Sequence, residues 1–239
     1  MDHIGAMPEF EKYFAPQLLT CPNSNPGIGE RNELNWELIG NEKEEPMLAL
    51  RRMLEGRNPP LRSSDTANFF IYYLPPKDVE ESKTLNAESY PNNVSIATIL
   101  RCGGFTVLMP GDLQKEGMKE ILKDSGFRNK IKGGVDLLVA PHHGLRSSFS
   151  VELFDKMKDK KVRCLIVVSE KVNGDDDREV DTRYSTDEYC KGENSLSTEK
   201  EPHYQVKTSR GHVYIDYDGT GDLHVEVLSD VADVLRRFE

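Results

Sequence analysis

The sequence lacks the long apolar runs that membrane proteins need. Nowhere in its 239 residues do about eighteen apolar residues follow one another, which is the length that a membrane-spanning helix requires. A basic N-terminal stretch followed by an apolar one, as in a secretory signal, is missing too. These absences predict a cytoplasmic protein with no membrane segment.

An excess of positive charge is also missing. The chain has 31 Lys and Arg residues against 41 Asp and Glu residues, a formal net charge of −10. An acidic average disfavours sequence-independent binding to nucleic acid. It does not exclude an enzyme that handles a phosphodiester through a metal ion, because the ion supplies the local positive charge.

Cysteine is scarce, and none of the cysteines forms a CxxC pair. The four lie far apart in the chain, at Cys21, Cys102, Cys164 and Cys190. Disulfides follow the oxidising compartment. We therefore expect reduced thiols in a cytosolic protein.

Length and composition indicate one globular domain. The chain is 37% hydrophobic and 30% charged, and its length suits two packed layers, with two small domains as the alternative. We interpret residues 1–239 as a single α/β domain. Within it, residues 20–60 form a variable region, and residues 170–203 an acidic insertion.

Helices and loops follow from local signals. Residues 3–15 and 46–55 are predicted helices, the second with Pro46 at its start and a Gly just after its end. Residues 20–45, rich in Asn, Pro and Gly, are predicted to form an irregular loop. Residues 170–201 carry eleven acids against five bases, so we expect this stretch to be exposed.

The middle of the chain is rich in predicted strands. The run at 69–74 predicts a buried strand, and the apolar runs at 135–140 and 162–168 are typical of strands covered on both faces. Residues 94–100 and 105–109 flank Cys-Gly-Gly, which indicates a hairpin. Helices are predicted after Asp112, near Ser148 as N-cap, and at the C-terminus, and a second hairpin at 212–217 and 222–227. Strands alternating with helices indicate α/β layers.

Two of these strands end in residues that carry chemistry. The run VLMPGD ends in Asp112, and the run VDLLVAPHHG ends in His142 and His143. Open α/β sheets place their sites at the carboxyl ends of strands. A lone Gly-Asp is usually a turn, and a His pair is as often structural as ligating. Together with Asp2 and His3 at the start, however, these residues have the composition of a hydrolytic metal site.

Four stretches in order resemble the metallo-β-lactamase superfamily. They are FFIYYLPP, PNNVSIATILRCGGFTVLMPGD, VDLLVAPHHGLRSS and VRCLIVVS, and the C-terminal TSRGHVYIDYDGTGDLHVEV fits as well. The resemblance is closest to the branch that contains the hydrolase domain of bacterial DNA-uptake competence proteins. It implies an αββα sandwich and a divalent metal, Zn²⁺ or Mn²⁺.

The resemblance also implies a ligand set. The family's first motif is HxHxDH, and Asp2-His3-Ile4-Gly5 resembles its second half. One metal would then be held by Asp2, His3 and one of His142 and His143, with Asp112 as a shared ligand. The second metal lacks its ligands, because HxH is missing and Asn92-Asn93 stands at the later histidine position. We expect a fragment, a misassigned start or a chain completed by a partner that supplies the missing strands.

Three further residues are candidates for contact with the substrate. Arg146 is placed to meet an anionic substrate, and Asn93 and Ser147 are further candidates for substrate binding, although a solvated loop is the simpler reading of Arg146. The predicted function is a metal-dependent hydrolase that attacks phosphodiesters, nucleic acid included, through a metal-activated water. A catalytically impaired remnant that serves as an interaction module, and an ester, lactone or thioester hydrolase, are the alternatives.

Overall fold

The computed structural model describes residue 8 and residues 67–85, 90–170, 179–196, 203–219, 221 and 223–237. Most of the predicted helix at 3–15, and all of the helix at 46–55 and the loop at 20–45, lie outside the described residues. The chain divides into two compact units. The first comprises residues 1–63 and 73–96, and the second comprises residues 64–72 and 97–239. The single domain over 1–239 stays a prediction.

The described part of the first unit is a small helical cluster. Helix α1 (Pro76–Glu81) begins with a proline at its first position, where the missing N–H costs nothing, and helix α2 (Tyr90–Asn93) is one turn long. Their core consists of four buried residues, Val79, Leu85, Tyr90 and Val94. Neither helix was predicted from the sequence.

The second unit is built on a six-stranded mixed sheet. Its strands, in spatial order, are β1 (Ala67–Tyr72), β2 (Ala97–Cys102), β3 (Phe105–Met109), β4 (Val135–Val139), β5 (Val162–Val168) and β7 (Gln205–Lys207). The first three strands are antiparallel, and β3, β4, β5 and β7 are parallel. The prediction of an α/β architecture is confirmed.

A three-stranded sheet packs on one face of the larger sheet. Its order is β6-β9-β8, with β6 (Ser195–Leu196), β8 (His212–Tyr217) and β9 (Leu223–Leu228). The predicted C-terminal hairpin is confirmed as β8 and β9. One hydrophobic core joins the two sheets, and its members include Phe105, Leu137, Leu165, Leu223 and Val225.

Among the described residues of this unit, four helices accompany the sheets: α3 (Lys115–Ile121), α4 (Ser125–Ile131), α5 (Val151–Asp155) and α6 (Val231–Leu235). The first three supply large buried side chains such as Met118, Phe127 and Phe154. Leu108, Leu138 and Ile166 alternate away from the face shared with the small sheet and are fully buried, so the second face of the large sheet is covered too. No helix among the described residues is long and apolar enough to cross a bilayer.

The N-cap of α5 corrects one prediction. Ser148 was expected to cap this helix, but the Ser150 hydroxyl accepts the hydrogen bond from Leu153 N, at 3.2 Å. Ser148 instead lies in a preceding 3₁₀ turn, Arg146–Ser148, and points inward. Either serine has a side chain suited to an N-cap. Because the 3₁₀ turn extends to Ser148, the helix begins two residues later, after Ser150.

The acidic insertion is not exposed throughout. Asp181, Tyr184, Tyr189 and Cys190 are all buried, so the predicted exposure is wrong for these residues, while others in 179–195 are exposed. Tyr184 and Tyr189 pack edge-on against Phe149, with ring centroids 4.8 and 4.9 Å away. The prediction relied on the net charge of the stretch and gave no weight to its aromatic residues. These residues pack against the domain because their burial removes a large apolar area from water.

The buried carboxylate of Asp136 links three parallel strands. Its Oδ2 accepts a 2.6 Å hydrogen bond from the backbone N of Thr106 in β3, and its Oδ1 accepts one from Arg163 Nε in β5. Between the pairs Val135–Val162 and Leu137–Leu165, β5 has one residue more than β4. This β-bulge carries Arg163 and places its side chain against Asp136.

We expect Asp136→Asn to lower the free energy of unfolding by about 2 to 3 kcal/mol, because an amide cannot accept from both donors and one of them stays unsatisfied. Urea denaturation measures the change. Asp155→Asn is the matched control, since Asp155 pairs with Lys160 at 2.7 Å on the exposed surface, and we expect little change there. Equal losses in the two variants would contradict the role given to Asp136.

Candidate functional site

Three strand ends meet at one edge of the large sheet. Because β3, β4 and β5 are parallel neighbours, their carboxyl ends lie side by side. Asp112 follows β3, the pair His142 and His143 follows β4, and Ser169 follows β5. The first two loops touch directly, since His142 N donates to the carbonyl oxygen of Gly111 at 3.0 Å. The loops predicted to carry chemistry are thus neighbours.

The loop after β4 has an unusual backbone. His142 has φ 45° and ψ 55°, and His143 has φ 59° and ψ 18°. Both lie in the left-handed region, which costs a residue with a side chain about 1 to 2 kcal/mol. Gly144 follows at φ 72°, and a Cβ there would lie 3.3 Å from the Val168 side chain. Backbone strain of this kind concentrates at functional sites, so the loop is the strongest candidate.

The ring of His143 is held in a defined orientation. Its Nδ1 lies 2.9 Å from the carbonyl oxygen of Ser169. A carbonyl oxygen only accepts, so Nδ1 carries the proton and Nε2 of the neutral ring carries the lone pair. Ligating histidines have this arrangement, because a carbonyl on one ring nitrogen orients the other toward the metal. His143 therefore fits the role of a ligand.

His142 is next to His143 in the chain, Asp112 lies on the adjoining loop, and both are residue types that ligate metal ions. Both side chains are half-buried, and the rings of His142 and His143 are 6.0 Å apart. Among the described residues, no group of three His, Cys, Asp or Glu side chains is already gathered closely enough to hold a metal ion. Asp2 and His3, the other two predicted ligands, lie outside the described residues. The four-ligand site stays a prediction.

A buried serine fixes the histidine loop from below. Ser148 is fully buried, and its Oγ lies 2.8 Å from the Pro141 carbonyl oxygen and 2.7 Å from that of Leu145. The same hydroxyl also hydrogen-bonds to the buried Tyr184, whose phenol pKa is raised by its burial. Each end of the loop is therefore tied to one side chain of the following turn.

Residues 179–185, here called the clamp, hold the loop from a second side. Asp181 N donates to the carbonyl oxygen of Gly144 at 2.8 Å, and Val180 forms a β-bridge with Leu145. Arg183 donates to both carboxylate oxygens of Asp181, at 2.9 and 2.7 Å. The guanidinium of Arg183 also stacks over the Phe149 ring at 3.8 Å, so the clamp is anchored in the aromatic core.

Arg146 and Ser147 are exposed on the turn that follows the histidine loop. The hydrogen bonds from Arg183 hold the pKa of the Asp181 carboxyl below its usual range, and the positive charge of Arg146 adds to this effect. Arg146 therefore stands near the histidine loop and near a carboxylate. Its guanidinium is open to solvent, as contact with an anionic substrate requires.

Asn93, the third predicted substrate contact, belongs to the first unit. It is fully buried, and its side-chain amide donates to the Leu85 carbonyl oxygen at 3.2 Å. This hydrogen bond connects α2 to the segment before it. Asn93 thus has a structural role within its own unit, and its contact with substrate stays a prediction.

The two buried cysteines, Cys164 and Cys190, are poor candidates for chemistry at this site. Burial raises the pKa of Cys164 to about 12 and that of Cys190 to about 11. Both therefore stay protonated at neutral pH, and a protonated thiol is a poor nucleophile and a poor metal ligand.

The sequence interpretation missed the residues that support the loop. Ser169 was seen only as the end of an apolar strand, and Asp181 and Tyr184 were assigned to an exposed insertion. The aromatic residues at 184 and 189, in an otherwise polar stretch, were the one available signal that this segment packs. The Ser169 contact had no signal, because a backbone carbonyl provides it.

Acid should weaken the clamp. The pKa of Asp181 is lower in the folded chain than its unfolded value of about 3.9. Its contribution to stability is therefore complete above about pH 5 and is lost as the pH falls below about 4. We expect Asp181→Asn to be less stable than the parent chain at pH 6, with the difference shrinking toward pH 3. Urea denaturation across this range measures it, and a difference independent of pH would contradict the assignment.

Comparison with known proteins identifies no family for this chain. No model of a protein family, no curated protein and no solved structure matches the chain.

Proposed function

We propose that this chain is a metal-dependent hydrolase that acts on phosphodiesters at the carboxyl edge of β3, β4 and β5. The observation that carries the proposal is the hydrogen bond from His142 N to the Gly111 carbonyl oxygen, at 3.0 Å. It joins the Gly-Asp loop to the strained His-His loop. Two loops from separate parts of the sequence, one with Asp112 and one with His142 and His143, are thereby held together.

The proposed fold is metallo-β-lactamase-like. Its support is the order of the sequence motifs, together with the packing of a small sheet on a larger one over a shared core. The motif residues after β3 and β4 stand at neighbouring strand ends, as such a fold requires. The helices that contribute buried side chains beside the larger sheet are what an αββα sandwich would place there.

Each residue has a defined task in this proposal. His143 presents Nε2, because its Nδ1 is bound to the Ser169 carbonyl, while Asp112 and His142 supply a carboxylate and a second imidazole. Asp2 and His3 would complete the ligand set. A divalent cation held by these residues would polarise a phosphoryl oxygen and lower the pKa of a water toward neutrality.

Arg146 accounts for the preference for a phosphodiester over a neutral ester. A guanidinium binds a phosphate through two parallel hydrogen bonds, and Arg146 is exposed beside the histidine loop. Ser147 next to it is also exposed and can donate a hydrogen bond to a phosphate oxygen. An uncharged ester, lactone or thioester would make no such use of Arg146.

We expect one Zn²⁺ or Mn²⁺ per chain and hydrolysis of bis-p-nitrophenyl phosphate, measured by elemental analysis and absorbance. Asp112→Asn and His142→Ala should each lower the rate at least about 100-fold, since even residues that only support ligands cost 10- to 100-fold. His212→Ala and Asp216→Asn, both exposed on β8, are the matched controls and should leave the rate unchanged.

A substrate panel separates the alternatives. Hydrolysis of single-stranded DNA, RNA or bis-p-nitrophenyl phosphate, but not of p-nitrophenyl acetate, would support phosphodiester chemistry. Faster hydrolysis of the acetate would favour the ester hydrolase. A chain that binds no metal and cleaves none of these substrates would overturn the proposal and leave a non-catalytic interaction module.

A further inference from the structure

A second cleft lies at the opposite end of the parallel strands. It has a volume of about 560 Å³ and is lined by the starts of β4 and β5, the turn between β2 and β3, and the loop before β5. Five residues of a strand span about 15 to 20 Å. The cleft is therefore separate from the histidine loop, and it has a size typical of small-molecule sites.

The cleft is basic in a chain that is acidic overall. Its walls carry five basic side chains and two carboxylates, an excess of three positive charges, whereas the whole chain has a net charge of −10. The basic residues are Arg101, Lys158, Lys161, Arg163 and Lys191. They come from three separate stretches of the sequence, around residues 101, 158–163 and 191, and the fold brings these stretches together.

The two carboxylates neutralise only two of these bases. Asp136 accepts from Arg163, and Asp159 accepts from Lys191 at 2.7 Å. Lys161 donates to a backbone carbonyl oxygen, that of Asp187, at 2.6 Å, which orients its ammonium group without neutralising it. The charges of the other bases in the cleft are left for a ligand.

Arg101 and Lys158 supply most of this unneutralised charge. Arg101 Nη2 donates to the Lys130 carbonyl oxygen, while its Nε is buried and has no hydrogen-bond partner among the residues that the structure describes. No carboxylate among the described residues pairs with Arg101, so its positive charge stays unneutralised beside the cleft. Lys158 is exposed at the mouth and forms no ion pair with any described residue.

Glycines leave one wall of the cleft without side chains. At Gly103, Gly104 and Gly133, a Cβ atom would have no other atom within 4 Å, so the space in front of the backbone is open. Gly103 and Gly104 have φ values of 54° and 86°, which the tight β2–β3 turn requires. A ligand can therefore approach the backbone closely on this side of the cleft.

We propose that this cleft binds a small phosphorylated molecule with two or three negative charges. The charge excess matches such an anion, and the volume suits a molecule of about mononucleotide size or less. A nucleic acid is disfavoured, because the surrounding acidic chain repels an extended polyanion. The inference does not depend on the proposed hydrolase activity, since none of the residues predicted for that site lines the cleft.

Titration calorimetry with inorganic pyrophosphate tests the proposal on the full chain, at low ionic strength to limit screening and with EDTA to exclude binding through a metal. We expect Lys158→Glu to weaken binding about tenfold or more. Lys119→Glu on α3 is the matched control, because it changes the net charge equally at a site outside the cleft. We expect it to change the dissociation constant less than about twofold.

A second variant guards against misfolding of the first. Gly133→Asp places a carboxylate in open space at the wall and should weaken binding comparably, while circular dichroism and the unfolding transition stay those of the parent chain. His142→Ala should bind pyrophosphate as the parent does. That result would keep the cleft independent of the candidate hydrolytic site.

Three results would overturn the proposal. The first is no heat of binding with the parent chain, and the second is an equal loss in Lys158→Glu and Lys119→Glu. The third is tighter binding of a single-stranded DNA oligonucleotide, abolished by Lys158→Glu. That last outcome would assign the cleft to nucleic acid instead of a small phosphorylated molecule.

Discussion

Asp136 accepts hydrogen bonds from both strands that flank it, from Thr106 N in β3 and from Arg163 in β5. Because Asp136 lies in β4 and bonds to both neighbours, its carboxylate fixes the relative positions of β3, β4 and β5 at this point. The bulge in β5 provides the extra residue that brings Arg163 to it. Because these hydrogen bonds fix the strand register, the carboxyl ends of the three strands align. The histidine loop and the basic cleft then lie at the two ends of the aligned strands.

The two ends of the parallel strands carry opposite chemistry. The carboxyl end has carboxylate and imidazole groups, with Asp112 and His143 on adjacent loops, and suits a cation. The amino end has unneutralised bases such as Arg101 and Lys158, with bare glycine backbone beside them, and suits an anion. The strained backbone of the histidine loop is held in place by hydrogen bonds from Ser148 and from the clamp. These contacts offset the cost of the left-handed conformations at His142 and His143.

Regular elements were predictable, and the contacts between distant segments were not. The apolar runs of β4 and β5 and the Gly-Asp and His-His endings were clear in the sequence, because burial on both faces and ligand chemistry leave a local signature. Asp136 within the run VDLLVA gave no sign of its two donors, which lie 30 and 27 residues away. The clamp was hidden by the average charge of its stretch. The basic cleft was invisible because its residues are scattered along the chain.

Paramagnetic broadening by Mn²⁺ tests whether the carboxyl end of the parallel strands holds a divalent cation, as we propose. In ¹⁵N-labelled full chain, substoichiometric Mn²⁺ should broaden the amide signals of Gly111, Asp112, His142 and His143 first. The signals of Gly104 and Lys158, at the far end of the strands, should stay sharp. Broadening centred on the acidic residues 175–177, with the histidine loop unaffected, would contradict a cation site at these strand ends.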